Sequence, residues 1–144
     1  MVDIHGIAGQ IARIREKANA LVDSELKRRG IKGIVPAHGP ALFFLLQQSE
    51  PVPIKAVVEN IGRAKSTVTV MVDTLERYGY LRKLPCQTDN RMILVELTAA
   101  GRKLRKDFDQ ISEGLLGKLY GDMNQKDRQL LVRQLTIIEA NLSQ

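Results

Sequence analysis

Asp89 and Arg91 stand two residues apart in the stretch LPCQTDNRMILVELT, Leu84–Thr98. The polar cluster TDNR separates two runs of β-forming residues, a pattern typical of a hairpin tip. In extended backbone, side chains two residues apart lie on the same face, so the aspartate could brace an arginine that projects from the tip. A structural salt pair, a reactive-thiol loop around Cys86 and a nucleic-acid-reading finger all fit these residue types.

A second polar group opens the stretch AKSTVTVMVDTLERYGYL, in which apolar residues recur at helical spacing and Gly79 provides a C-terminal cap. A helix is narrow enough to enter the major groove, and small polar side chains at its N-terminus can approach base edges. The positive end of the helix dipole also favours phosphate. An ordinary exposed helix is the alternative, but the hairpin directly after it favours nucleic-acid binding. The candidates on this first turn are Lys65, Ser66, Thr67 and Thr69.

The charge of the chain points the same way. The formal net charge is +6 over 144 residues, with a pI near 9.7, which favours polyanionic partners. From Arg63 to Arg91 six basic residues face three acidic ones, so half of the net charge lies in a fifth of the length.

The N-terminal region predicts a long helix whose apolar residues follow the 3-4 spacing of a heptad seam. This seam fits either a partner chain or the protein's own core. Gly30 and Gly33 end the helix. The seam residues are Ile4, Ile7, Ile11, Ile14, Ala18 and Leu21.

The rest of the chain predicts short elements followed by two further helices. A buried helix in AHGPALFFLLQQ and a second helix from Ile54 to Ile61 precede the polar helix and the hairpin, which together form a winged helix-turn-helix. Thr98 is a suitable N-cap for the first of the closing helices, and Asn124 for the second. The second closing helix has an apolar face at Leu131, Leu135, Ile138 and Leu142. The predicted fold is mainly α with a small β-hairpin wing.

Several classes of function are disfavoured. The longest apolar run, Ala41–Leu46, is too short to cross a bilayer, and the start of the chain lacks a secretory pattern, so the cytoplasm is expected. One cysteine cannot build an intramolecular disulfide or a cysteine cage for zinc. His5 and His38 have no ligand-spaced partners, and no nucleophile or nucleotide-binding motif is present. We expect no enzyme, no metal and no cofactor.

The stretch Ser66–Gly101 resembles the signature region of the MarR family of bacterial transcriptional regulators. The likeness rests on a Ser/Thr-rich recognition helix, a Leu-Glu-basic-x-Gly helix end, a wing with Asp-x-Arg at its tip and a closing Leu-Thr-x-x-Gly. It extends over nearly the whole chain. The matching positions are Leu75, Glu76, Arg77, Gly79, Pro85, Asp89, Arg91, Leu97, Thr98 and Gly101.

The resemblance implies one MarR-like domain over 1–144, with dimerisation helices at 1–33 and 99–144 and a winged DNA-binding lobe at 36–98. It implies a homodimer that binds a pseudo-palindromic double-stranded operator. Asp89 would hold the guanidinium of Arg91, which would reach phosphate or the minor groove. Expected DNA-binding residues are Arg63, Lys65, Ser66, Thr67, Thr69, Lys83, Asp89, Asn90 and Arg91, and expected dimerisation residues are Ile4, Ile7, Ile11, Ile14, Leu131, Leu135, Ile138 and Leu142.

The function implied is that of a sequence-specific transcriptional regulator, a repressor released by a small aromatic or anionic effector. Val70, Leu84 and Asn90 depart from the usual family pattern, and their loss of polar or basic character favours the alternative of a winged-helix protein-interaction module without DNA binding. Cys86, with Lys83 nearby in sequence to lower its pKa, is either an incidental wing thiol or a redox sensor.

Overall fold

Helix α1, Ile7–Arg28, is the long N-terminal helix, in a computed structural model that describes all 144 residues. The predicted start at Ile4 is wrong. The carboxylate of Asp3 accepts a hydrogen bond of 2.9 Å from the backbone N–H of His5, which forms a turn, so that Ile4 precedes the helix. At the other end Gly30 has φ +70°, and the N–H of Ile31 donates to the carbonyl of Leu26 at 3.0 Å. This left-handed glycine ends α1, as predicted.

Helices α2 (Gly39–Leu46), α3 (Ile54–Ile61) and α4 (Lys65–Arg77) form the centre of the first compact unit, Met1–Ile111. A 3-10 turn at Pro36–His38 leads into α2. The predicted bounds of α3 are confirmed. The buried core is apolar and includes Leu42, Val57, Val68, Val72, Leu75, Leu81 and Val95.

The sheet has three antiparallel strands in the order β1-β3-β2. Strands β2 (Leu81–Pro85) and β3 (Ile93–Leu97) form the predicted hairpin, with Leu81 paired to Leu97 and Pro85 to Ile93. The third strand, β1 (Val52–Pro53), pairs with β3. The sequence predicted only an extended step there, because a strand of two residues, one of them Pro53, carries no alternation pattern.

Helix α5, Ala99–Arg102, has the predicted N-cap, Thr98, whose hydroxyl accepts a hydrogen bond of 3.2 Å from the N–H of Gly101. The first closing helix was predicted as one continuous helix, which is wrong. It consists of α5 and a separate helix α6, which starts at Arg105 and ends at Tyr120. The second compact unit is Ser112–Gln144 and contains α7, Gln125–Leu142. Asn124 caps α7 by accepting a bond of 2.9 Å from the N–H of Asp127. None of the helices combines the length and the apolar character that a membrane-spanning segment requires.

Candidate nucleic-acid interface

The N-terminus of α4 has no side-chain cap. Its N-cap residue is Ala64, whose methyl group cannot accept a hydrogen bond, and the first helical bond runs from the N–H of Val68 to the carbonyl of Ala64 at 3.1 Å. The first turn also contains no acidic residue. The backbone amides of residues 65–67 therefore lie ahead of the first helical bond, where the helix dipole favours an anion.

Ser66 and Thr67 lie on the outward face of α4 and are exposed, as expected for side chains that approach bases. Thr69 is placed differently. It is half-buried, and its hydroxyl donates to the carbonyl of Lys65 at 2.9 Å, so only its lone pairs remain for a ligand. Ser66 and Thr67 thus point outward, whereas Thr69 lies at the flank of the helix.

The wing tip does not contain the predicted pair between the carboxylate of Asp89 and the guanidinium of Arg91. Asp89 Oδ1 instead accepts a hydrogen bond of 2.9 Å from the backbone N–H of Arg91, and the Asp89 carbonyl accepts one of 3.1 Å from the N–H of Met92. The prediction assumed extended backbone, whereas residues 90–91 form a turn. Asp89 therefore fixes the turn, and the guanidinium of Arg91 has no carboxylate partner.

Lys83 is held by acidic residues of α4. Its Nζ forms ion pairs with Asp73 and, at 3.5 Å, with Glu76, while its backbone N–H donates to Glu76 Oε2 at 3.3 Å. The hydrogen bond to Asp73 raises the pKa of Lys83 above its ordinary value. In the structure these contacts join β2 to α4, and the predicted contact of Lys83 with DNA stays a prediction.

Five of the expected DNA-binding residues line one cleft of about 630 Å³ between α3, α4 and the wing. Sequence reasoning missed Lys55, an exposed lysine of α3 that lines the same cleft, because a single lysine on a short helix is an ordinary surface residue. The five expected residues are Lys65, Thr69, Lys83, Asp89 and Arg91.

Arg63 lies elsewhere, in the turn before α4, where it lines a separate cavity of about 210 Å³ with Arg15 and Asn19 of α1. Asn90 is exposed in the wing turn. Five basic side chains around α3, α4 and the wing form no ion pair within the chain, and these are Lys55, Arg63, Lys65, Arg77 and Arg91.

Cys86 is half-buried beside the wing tip, and its Sγ lies 3.2 Å from Thr88 Oγ1. That hydrogen bond, followed by the backbone amides of Thr88 and Asp89, lowers the pKa of the thiol. Lys83 is not the cause, as its ammonium group is held by α4. Nowhere in the chain do three or more His, Cys, Asp or Glu side chains converge to form a metal site.

The apolar seam of α1 is exposed, with Ile7, Ile11 and Ile14 each more than two-fifths accessible. The seam is thus not buried in the protein's own core, which was one of the two alternatives. On α7, Leu135 and Leu142 are exposed, and Leu131 and Ile138 are half-buried.

Comparison with known proteins shows which proteins have a similar sequence or fold. Residues 41–93 match the model of the MarR family. A solved complex of S. aureus MepR with DNA is similar, with 19% identity, a TM-score of 0.81 and coverage of 98% of this chain and 99% of that one. A mutant MarR from E. coli in complex with operator DNA has 19% identity and a TM-score of 0.79, over 95% and 99% of the two chains.

CouR from Rhodococcus jostii RHA1, bound to p-coumaroyl-CoA, has 21% identity and a TM-score of 0.73, with coverage of 92% of this chain and 90% of that one. The shared fold therefore extends over nearly the whole chain, while the family match runs from within α2 to the first residue of β3. Residues 41–93 are thus similar in sequence to the MarR family, and nearly the whole chain shares the fold of these solved structures.

Proposed function

We propose that the protein is a sequence-specific regulator of transcription that binds double-stranded DNA as a homodimer and acts as a repressor. The observation that carries this proposal is the uncapped N-terminus of α4, which lies among basic side chains without carboxylate partners. Phosphate groups are natural ligands of free amides and unpaired cations. In this proposal the protein is not an enzyme and acts in the cytoplasm.

The relatives support the proposal. MepR and the mutant MarR were solved with DNA, and each covers at least 95% of this chain. In our proposal Ser66 and Thr67 meet base edges in the major groove, and Lys65 and Arg63 meet phosphates. Arg91 reaches the backbone or the minor groove from the wing, with Asp89 and Asn90 shaping its turn.

Homodimer formation is supported by the apolar residues that α1 and α7 leave exposed. A helical seam of isoleucines with no cover in its own chain is the pattern of an interhelical interface. A two-fold dimer presents two copies of α4, which matches a pseudo-palindromic operator. The predicted division into dimerisation helices at 1–33 and 99–144 and a DNA-binding lobe at 36–98 belongs to this proposal.

Release by a small molecule is part of the proposed mechanism. CouR was solved with p-coumaroyl-CoA bound, which supports an aromatic or anionic effector for a protein of this fold. An effector that binds the DNA-free state more tightly than the DNA-bound state lowers operator affinity by the ratio of those two affinities. A thermal-shift screen of phenolic and acyl-CoA compounds, followed by operator release, would identify it.

A gel shift against the upstream region of the protein's own gene, at two salt concentrations, tests DNA binding directly. We expect affinity that falls steeply with salt, because bound phosphates release counterions. Binding that is absent or insensitive to salt would instead favour a protein-interaction module.

Two substitutions test the assigned face. Arg91→Ala should weaken binding on all sequences and reduce the slope of log K against log salt by about 0.9, the value for one phosphate contact. Thr67→Ala should reduce discrimination between operators by about 1–3 kcal/mol per base contact. Lys126→Ala, an exposed lysine of α7, is the control and should leave both quantities unchanged. Parental behaviour of both test variants would show that the DNA face is wrongly assigned.

A further inference from the structure

Val70 is the exposed apolar side chain of the proposed recognition helix. Its relative exposure is 65%, whereas the other large apolar residues of α4 are buried in the core. Val70 follows Ser66 by four residues and Thr67 by three, so the three side chains are neighbours on one helical face. This face is the one that the proposed function presents to the major groove.

The surroundings of Val70 make it distinct from a scattered surface residue. The rest of the outward face is polar, and the side-chain hydroxyl of Thr74 donates to the Val70 carbonyl at 3.0 Å without covering the valine methyls. A β-branched residue at an exposed helical position also gains nothing in helix propensity over alanine. Packing and helix formation therefore give no reason for valine at this position.

Base edges in the major groove offer one apolar group, the 5-methyl of thymine. The 13-residue α4 spans about 20 Å, and groove-bound recognition helices contact bases through their N-terminal residues. Val70, in the second turn, lies within that part of the helix. Its two γ-methyl groups form an apolar surface that a thymine methyl can cover.

We propose, on the basis of the proposed function, that Val70 is a specificity-determining residue that contacts a thymine methyl in each operator half-site. Valine in place of a polar or basic residue at position 70 then changes which base is recognised and does not abolish DNA binding. Polar contacts from Ser66 and Thr67 set the register, and Val70 selects thymine over cytosine at one step.

The test uses the full-length protein and duplexes that it selects from a random library. Each thymine of the selected half-site is replaced in turn by deoxyuridine, which removes the methyl group and keeps the base pairing. For the parent, one thymine per half-site should show a loss of about fourfold in affinity, the value for one buried methyl group. In Val70→Ala this loss should fall below twofold, while the other thymines respond as in the parent.

Thr67→Ser is the control, because it removes a methyl group from the same face and keeps the hydroxyl. It should retain the fourfold loss at the thymine assigned to Val70. If Thr67→Ser abolishes that loss and Val70→Ala retains it, or if neither variant changes it, the assignment of Val70 is wrong while DNA binding stands. If the parent enriches no sequence from the library, the proposed function itself fails, and the role of Val70 fails with it.

Discussion

His38 is a buried histidine whose hydrogen bond requires it to be neutral. Its Nδ1 accepts from the backbone N–H of Val35 at 3.2 Å, and protonation of Nδ1 would remove this acceptor. Burial lowers the pKa of His38 below its ordinary value of 6.5, because a desolvated imidazolium is disfavoured. The unfolded chain therefore binds the proton more readily than the folded chain.

This linkage predicts a loss of stability in mild acid. The contribution of His38 is fully present above pH 6.5 and is lost as the pH falls through the lower folded pKa. Urea unfolding at a fixed protein concentration, at pH 7.5 and 5.5, should show a larger decrease in the free energy of unfolding for the parent than for His38→Asn.

Asparagine is the matched substitution because its Oδ1 can replace Nδ1 as the acceptor without titrating. His38→Ala, which removes the acceptor, should instead lose about 0.5–1.5 kcal/mol relative to the parent at pH 7.5, and less at pH 5.5, where the parent has already lost part of this contribution. An equal pH response in the parent and His38→Asn would contradict the assigned role.

At the scale of single residues, the sequence predicted residue types in the wing but not their hydrogen-bond and ion-pair partners. Residue types predicted that Lys83, Asp89 and Arg91 are charged groups of a wing. They could not predict their partners, because Asp89 bonds to a backbone amide in a turn and Lys83 meets residues seven and ten positions earlier. Such pairings depend on side-chain geometry across elements, which periodicity does not contain.

At the scale of elements, Lys83 and the acidic residues of α4 connect the wing to the recognition helix. Asp73 and Glu76 hold the ammonium group, and Glu76 also accepts from the backbone of β2. If this contact positions the wing, Lys83→Met and Asp73→Asn should each weaken operator binding a few-fold, as expected for loss of a surface ion pair. Neither should change the slope of log K against log salt, and Lys83→Arg should restore affinity.

Salt dependence separates this role from a phosphate contact. A lysine that neutralises a phosphate would reduce the slope by about 0.9 when replaced by methionine, and Asp73→Asn would then leave binding intact or strengthen it. That result would support the predicted contact of Lys83 with DNA. Amide hydrogen exchange at Lys83 provides a second measurement, which should quicken in Asp73→Asn only if the contact holds the strand.

Most elements could be predicted because each has a strong local pattern. The 3-4 spacing of α1, the prolines before α3 and the left-handed Gly79 (φ +83°) all act within a few residues. The pairing of β1 with β3 and the break between α5 and α6 depend on distant contacts. At Gly101, for example, a Cβ atom would lie 2.1 Å from the carbonyl oxygen of Tyr80, so this glycine allows α5 to approach the chain before β2.

For the whole molecule, the exposed seam of α1 is the surface that the proposed dimer would bury. Its isoleucines have no cover within the chain, although about 0.8 kcal/mol is gained for each buried CH₂ group. Operator recognition by two α4 helices requires that two chains be held at a fixed spacing. Dimerisation and operator binding should therefore be lost together when the seam is broken.

The substitution Ile14→Lys tests this dependence, with Ile93→Lys as its control. The two isoleucines are equally exposed, at 49% and 48%, but Ile14 belongs to the α1 seam and Ile93 to the wing. In sedimentation at micromolar concentration the parent and Ile93→Lys should be dimers and Ile14→Lys a monomer, because a lysine would bury its charge in the interface. Ile14→Lys should also lose binding to a two-half-site operator while its thermal unfolding remains cooperative. If Ile14→Lys stays dimeric, the α1 seam is not the dimer interface, and the spacing of the two recognition helices must be set elsewhere.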